Sequence, residues 1–212
     1  MTSDSTVPDT ALRADARRNR IQLIEAAGRM FAEHGPDVAM EEIARAAGVG
    51  IGTLYRRFPD REALIRGVCQ DNYRQALDEA RLAQQDEPTA WQALVRIVRH
   101  VRALQLSVHL ALVSPKVHRI ITSDELSARS RAELLRLLDE VVRDAQREGT
   151  LRRDVGTGDV AMLCSLLLRE NLNHEFGGDG RERRARLLLD ALRTGPPEGL
   201  PGDPVGLADL DF

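Results

Sequence analysis

Residues 43–64, IARAAGVGIGTLYRRFPDREAL, are the most closely punctuated stretch of the chain and constrain its fold more than any other. Ile43 and Ala47 stand one helical turn apart and Gly48 follows at once, the pattern of a short helix that stops on glycine. Ile51 opens a second short helix in which Leu54 and Phe58, four apart, can anchor one face. Pro59 ends that helix. Asp60 supplies the N-cap of a third, with Ala63, Leu64 and Val68 on its inner side. Two short helices joined through a glycine turn at residues 48–50 make a helix-turn-helix. Its second member is small enough to lie in a DNA major groove about 12 Å wide.

The rest of the chain reads as helix as well. Ala, Leu, Arg and Glu dominate the 212 residues, aromatics are only 3%, and strand-like runs are few, so the expected class is all-α. The first helix spans residues 15–34, with Ile24, Ala27 and Phe31 at i, i+3 and i+7, Leu23 and Met30 widening the stripe, and Gly35-Pro36 as its stop. The next three cover residues 40–47, 51–58 and 60–84. Further helices are expected at 89–113, ended by Ser114-Pro115, then at 116–122, 124–148, 159–174 and 181–193, about nine in all. Residues 160–168 are apolar nearly all round, which demands burial or a subunit interface. The expected organisation is a disordered terminus at 1–12, a three-helix helix-turn-helix domain at 13–60, a larger helical domain at 61–193 and a flexible, Pro- and Gly-rich tail at 194–212.

Charge narrows the function. The whole chain carries −3, but residues 11–66 hold ten Arg against eight acidic residues, a net of +2. A local basic face can therefore meet phosphate despite the acidic remainder. No apolar run approaches the roughly 18 residues needed to cross a bilayer, and the polar, acidic start MTSDSTVPDT lacks the core of a signal peptide. Cys69 and Cys164 are far apart, and the expectation is two reduced, buried thiols in a cytoplasmic protein. Glu170 and His174, four apart, lack a third metal ligand at helical spacing. No nucleotide loop, nucleophile elbow or paired carboxylates stand out, so no catalytic residue, metal or cofactor is expected, and an enzyme has little support.

On the second helix of the pair, Thr53 offers a hydroxyl, Tyr55 projects beside it, and Arg56 and Arg57 add charge. The free N–H groups at the start of the next helix can bind a phosphate, with Arg61 as a positive partner in its first turn. Ile24, Ala26, Ala27, Phe31, Gly35, Ile43-Ala44, Ala47-Gly48-Val49, Gly52-Thr53-Leu54-Tyr55, Phe58 and Arg61 before Leu64 then stand in one register. Over residues 17–66, roughly a quarter of the chain, this pattern resembles the DNA-binding signature of the TetR family of transcriptional regulators. The resemblance implies that Thr53, Tyr55 and Arg61 hold DNA and that Gly50, Ile51, Gly52 and Arg56 face the groove. Two departures stand out: Ala39 occupies a place where the family often has Thr or Ser, and Arg61 one where it usually has Lys. Ile51 and Gly52 offer bases no side-chain hydrogen bonds, so methyl contact, close backbone approach or shape readout is expected instead.

The resemblance further implies a homodimer that packs residues 159–174 and 181–193 against their copies, binds a double-stranded palindromic operator, and is released by a small-molecule effector. A ligand-independent regulator, an activator, or an enzyme or scaffold with an incidental helix-turn-helix are the alternatives. Trp91, His100, Leu104 and Met162 are the candidate effector contacts, each with plain core packing as its other reading.

Overall fold

The computed structural model describes residues 9–170, 178–193 and 200–210. Among them are ten α-helices and no strand: α1 (Asp9–His34), α2 (Met40–Ala46), α3 (Ile51–Arg57), α4 (Arg61–Asp86), α5 (Ala90–His100), α6 (Gln105–Val113), α7 (Pro115–Thr122), α8 (Glu125–Arg147), α9 (Thr157–Glu170) and α10 (Gly178–Leu192). Single 3₁₀ turns lie at Val101–Leu104 and Leu207–Asp209. The chain is all-α, and no helix among the described residues is long and apolar enough to cross a membrane.

The chain divides into two units, Met1–Val68 and Cys69–Phe212. α4 starts in the first and continues into the second. The first unit is built around Leu23, Ala26, Ala27 and Phe31 of α1, Ile43 and Ala44 of α2, Leu54 of α3, and Leu64, Ile65 and Val68 of α4, all buried. α2 ends in a Schellman motif: the Gly48 N–H donates to the Arg45 carbonyl at 3.1 Å and the Val49 N–H to the Ala44 carbonyl at 3.0 Å. Gly48 sits at φ +69°, where a Cβ is strained. Its conformation fixes the turn between the two short helices.

In the second unit α4, α5, α8, α9 and α10 share one core that includes Leu77, Leu94, Ile97, Leu138, Val141, Val160, Leu167 and Leu189. Local chemistry sets the helix starts. The Ser114 hydroxyl accepts from the Val117 N–H ahead of Pro115, and Asp124 accepts from the Ser127 N–H at 2.8 Å. The link from α8 to α9 is tied down by Gln146, whose amide donates to the Arg152 and Val155 carbonyls at 3.2 and 2.8 Å, and by an Arg152–Asp154 ion pair at 2.6 Å. The Arg152 N–H reaches the Leu192 carbonyl at 3.2 Å, which joins this link to the end of α10.

Three features differ from the sequence expectation. The single helix expected at 89–113 is two, because the tighter turn at Val101–Leu104 re-phases the buried positions; beyond it Leu104, Ser107 and Leu110 follow at intervals of three. This accounts for ten helices rather than nine. α1 begins at Asp9, inside the stretch expected to be disordered. Part of the expected flexible tail, residues 200–210, runs along the start of α9: the Val205 carbonyl accepts from the Gly158 N–H at 2.8 Å. Residues 194–199, and 171–174 of the helix expected at 159–174, lie outside the described residues, as does His174.

Gly48→Ala should destabilise the protein by about 1–2 kcal/mol, the cost of a left-handed residue with a Cβ, measured as a lower midpoint in urea at unchanged slope.

Candidate DNA-binding surface and effector cavity

α3 is seven residues long and buries Leu54 fully. Phe58, just past its end, is also buried, and the Arg20 guanidinium of α1 stacks over its ring at 5.2 Å from the centroid. With that face anchored, Gly50, Ile51, Gly52, Tyr55, Arg56 and Arg57 are left exposed and Thr53 half-buried. Seven of the eight residues expected to meet DNA thus form one continuous stretch along a short, fixed helix. Arg56 Nη2 donates to Thr53 Oγ1 at 3.0 Å, so the Thr53 hydroxyl keeps its own proton for a phosphate or base acceptor.

The eighth, Arg61, is placed differently. Its Nη1 donates to the Pro36 carbonyl at 2.8 Å and also to the Val38 carbonyl. The side chain is half-buried and holds the turn between α1 and α2. The sequence placed Arg61 on the DNA backbone; the structure gives it a tether to the turn between α1 and α2. α2 has no side-chain cap, and only Glu41 and Glu42 in its first turn favour its N-terminal dipole. At the start of α4, Asp60 accepts from the Ala63 N–H at 2.7 Å, so a carboxylate already serves one of the N–H groups proposed for phosphate.

The second unit holds a cavity of about 230 Å³. Its walls come from α4 (Tyr73, Ala76, Ala80), α5 (Ile97, His100), Leu104, α6 (Val108), α8 (Arg131, Leu134, Leu135, Leu138), α9 (Met162, Cys164, Leu168) and Leu210. His100, Leu104 and Met162 of the four sequence candidates lie on it. Trp91 does not: it is buried in the core, with the Arg193 guanidinium 4.9 Å from its ring centre. Burial outweighs the neighbouring Arg131, which hydrogen-bonds the Tyr73 hydroxyl, and pushes that phenol above its ordinary pKa. Burial also pushes the Cys164 thiol up to about 12, so it stays a neutral wall group while it is covered. His100 Nδ1 lies 2.9 Å from the Arg96 carbonyl, a local partner within its own helix. Arg131 shares an apolar stripe with Leu134, Leu135 and Leu138, a charged residue at a core position. That was the readable sign of a cavity here. Nothing in the sequence pointed to Leu210.

Residues 23–68 match the family model for bacterial regulatory proteins of the tetR family. The TetR transcription regulatory protein of Mycobacterium vanbaalenii has a solved structure that is 36% identical, covering 86% of this chain and 99% of that one, with a TM-score of 0.61. The chain belongs to the TetR family. An HTH-type transcriptional regulator of Mycobacterium tuberculosis is 26% identical over 148 residues, 69% of this chain and 75% of its own. The TetR-like regulator LfrR of Mycobacterium smegmatis, solved in complex with proflavine, shares the fold at 22% identity and a TM-score of 0.62, covering 82% of this chain and 95% of that one. This TetR-family protein is therefore a transcriptional regulator with a helix-turn-helix DNA-binding domain, α2 and α3 forming the helix pair.

Arg61→Ala should cost about 1–2 kcal/mol of stability, the value of a charged donor on backbone acceptors. Arg56→Ala should stay within about 0.5 kcal/mol of the parent, as exposed positions do. Parallel urea titrations compare the two.

Proposed function

We propose that the protein is a homodimeric repressor that grips a palindromic operator and lets go when a small apolar molecule fills the cavity of the second unit. The observation that carries the DNA half is the exposed run from Gly50 to Arg57 on a helix whose other face is pinned by Leu54 and Phe58. Arg56, Arg57 and Tyr55 supply phosphate contacts, and Ile51 and Gly52 the close, apolar approach to base edges. Arg61 reaches the backbone only through donors other than Nη1.

Dimerisation is supported by what α9 and α10 leave uncovered. Val160, Cys164, Leu167 and Leu168 face inward, while Leu166 on α9 and Leu187 on α10 each expose more than half their surface. Apolar side chains on two successive helices are what a four-helix bundle between two copies would cover. A twofold pair of heads spaced about 34–36 Å apart then reads successive major grooves on one side of the duplex. One head with so few basic groups binds weakly alone, so the second copy supplies most of the useful affinity.

Release follows from helix continuity. Tyr73, Ala76 and Ala80 of α4 line the cavity, and the same helix begins at Arg61. A ligand that fits one setting of α4 better than another biases the separation of the heads. A coupling of about 1–3 kcal/mol changes operator affinity roughly 5- to 150-fold. LfrR, which shares the fold, holds proflavine, and an apolar cavity here suits the same broad use. The site of action is then the cytoplasm, where an operator is found.

Selection of bound DNA from a random pool should return sites with twofold symmetry; enrichment of asymmetric sites would overturn the dimer reading. Tyr55→Phe should weaken binding to the selected site about fivefold, the loss of one phosphate hydrogen bond, with an unchanged melting curve. The plot of log affinity against log salt should be steep, and Arg57→Ala should flatten it by about 0.9 per head.

A further inference from the structure

Residues 200–210 are Pro- and Gly-rich and carry no helical period, yet they are fastened to the second unit at defined points. The Leu200 N–H donates to Asp154 at 2.9 Å, and that carboxylate is itself held by Arg152 at 2.6 and 2.7 Å. Val205 is held on both sides of its peptide: its N–H donates to Asp159 at 3.1 Å and its carbonyl accepts from the Gly158 N–H at 2.8 Å. The Asp159 oxygen that receives Val205 also receives the Gly156 N–H at 2.7 Å. Neither glycine can carry a side chain while the segment is seated. A Cβ on Gly156 would overlap the Val205 carbonyl, and one on Gly158 the Val205 side chain. Beyond this clamp the chain turns at Leu207–Asp209, closed by Asp209 accepting from the Gly206 N–H at 2.8 Å. The turn packs on α8 and α9 and delivers Leu210 to the wall of the cavity.

We propose that residues 200–210 are a strap that completes the effector cavity, with Leu210 in direct contact with a compact, largely apolar ligand and the pair Gly156 and Gly158 as its seat. This rests on the effector reading above for the ligand, and on the hydrogen bonds alone for the cover. Most of the lining is hydrocarbon, Leu134, Leu138 and Leu168 among it, with Glu79, His100, Arg131 and Ser165 as polar members, so a leucine from the strap extends the apolar part rather than adding a polar contact. The fastening is made of backbone bonds and carboxylates outside the cavity. The strap can therefore lift and reseat without disturbing the buried core, and its position sets how fast a ligand enters and leaves.

The test uses the full chain and needs no natural ligand. Cys164 lies on the cavity wall, whereas Cys69, also buried and one turn before Tyr73 on α4, is not among the wall residues. Alkylation of each thiol by N-ethylmaleimide, followed by peptide mass spectrometry, reads opening of the cavity against general unfolding. Gly158→Ala keeps a good helix former in α9; Leu210→Ala removes the cover with no change at the seat. Both should speed modification of Cys164 about tenfold while Cys69 keeps its rate. Equal Cys164 rates in parent and variants, or equal acceleration at both cysteines in both variants, would overturn the strap. In the second arm the uncharged fluorophore N-phenyl-1-naphthylamine is titrated into the same proteins. Its affinity should fall about tenfold in Leu210→Ala. A dye that binds parent and Leu210→Ala equally overturns the contact made by Leu210. No dye binding in the parent, with Cys164 still shielded by the strap, leaves the cover standing and removes the effector reading instead.

Discussion

A seven-residue helix has no stability of its own in water, because nucleation costs more than one or two turns return. α3 is held because Leu54 and Phe58 are buried in a core shared with α1, α2 and the start of α4. Everything this TetR-family regulator can present to DNA depends on that burial. The exposed residues around Tyr55 share one helix with the anchor, so their spacing is fixed without any contact of their own. The Arg20 stack on Phe58 closes the anchor from above and spends a cation on structure in a unit that has few to spare.

The second unit solves a different problem. Helices that must shield apolar faces from each other normally leave no gap, since an unfilled void forfeits dispersion contacts. Here five helices, a 3₁₀ turn and the strap leave room among Tyr73, Leu104, Leu138 and Leu168. Such a space lowers stability when empty and returns it when filled, which is the thermodynamic basis for a response to a small molecule. Its few polar wall groups are the Tyr73 phenol with its Arg131 partner, Glu79, His100 and Ser165. Selection among ligands then falls to shape and size more than to hydrogen bonding.

What could be read from the sequence follows from the range of the forces involved. Helix ends set by one or two residues were legible: Gly48 and Ser114-Pro115 act through their own backbone or the next turn. The break at Val101–Leu104 was not, because no Pro or Gly marks it and only packing on both sides decides the phase. Arg61 was read by position, whereas its long side chain chooses between solvent and the carbonyls of Pro36 and Val38, 25 and 23 residues away. Trp91 sat on the right helix but on the face that turns to the core. The strap left no trace, since its bonds run from backbone groups to carboxylates more than 40 residues distant.

The tether from Arg61 has a bearing on ionic strength. Its partners are neutral carbonyl dipoles, not carboxylates. Dissolved ions screen charge against charge over about 10 Å at 0.1 M, but they compete poorly for a short, half-buried contact between a cation and a dipole. Added salt therefore strips the protein from phosphate while the head that must rebind keeps its shape. Dissociation by salt leaves a reader already set for the next site, and rebinding carries no folding step.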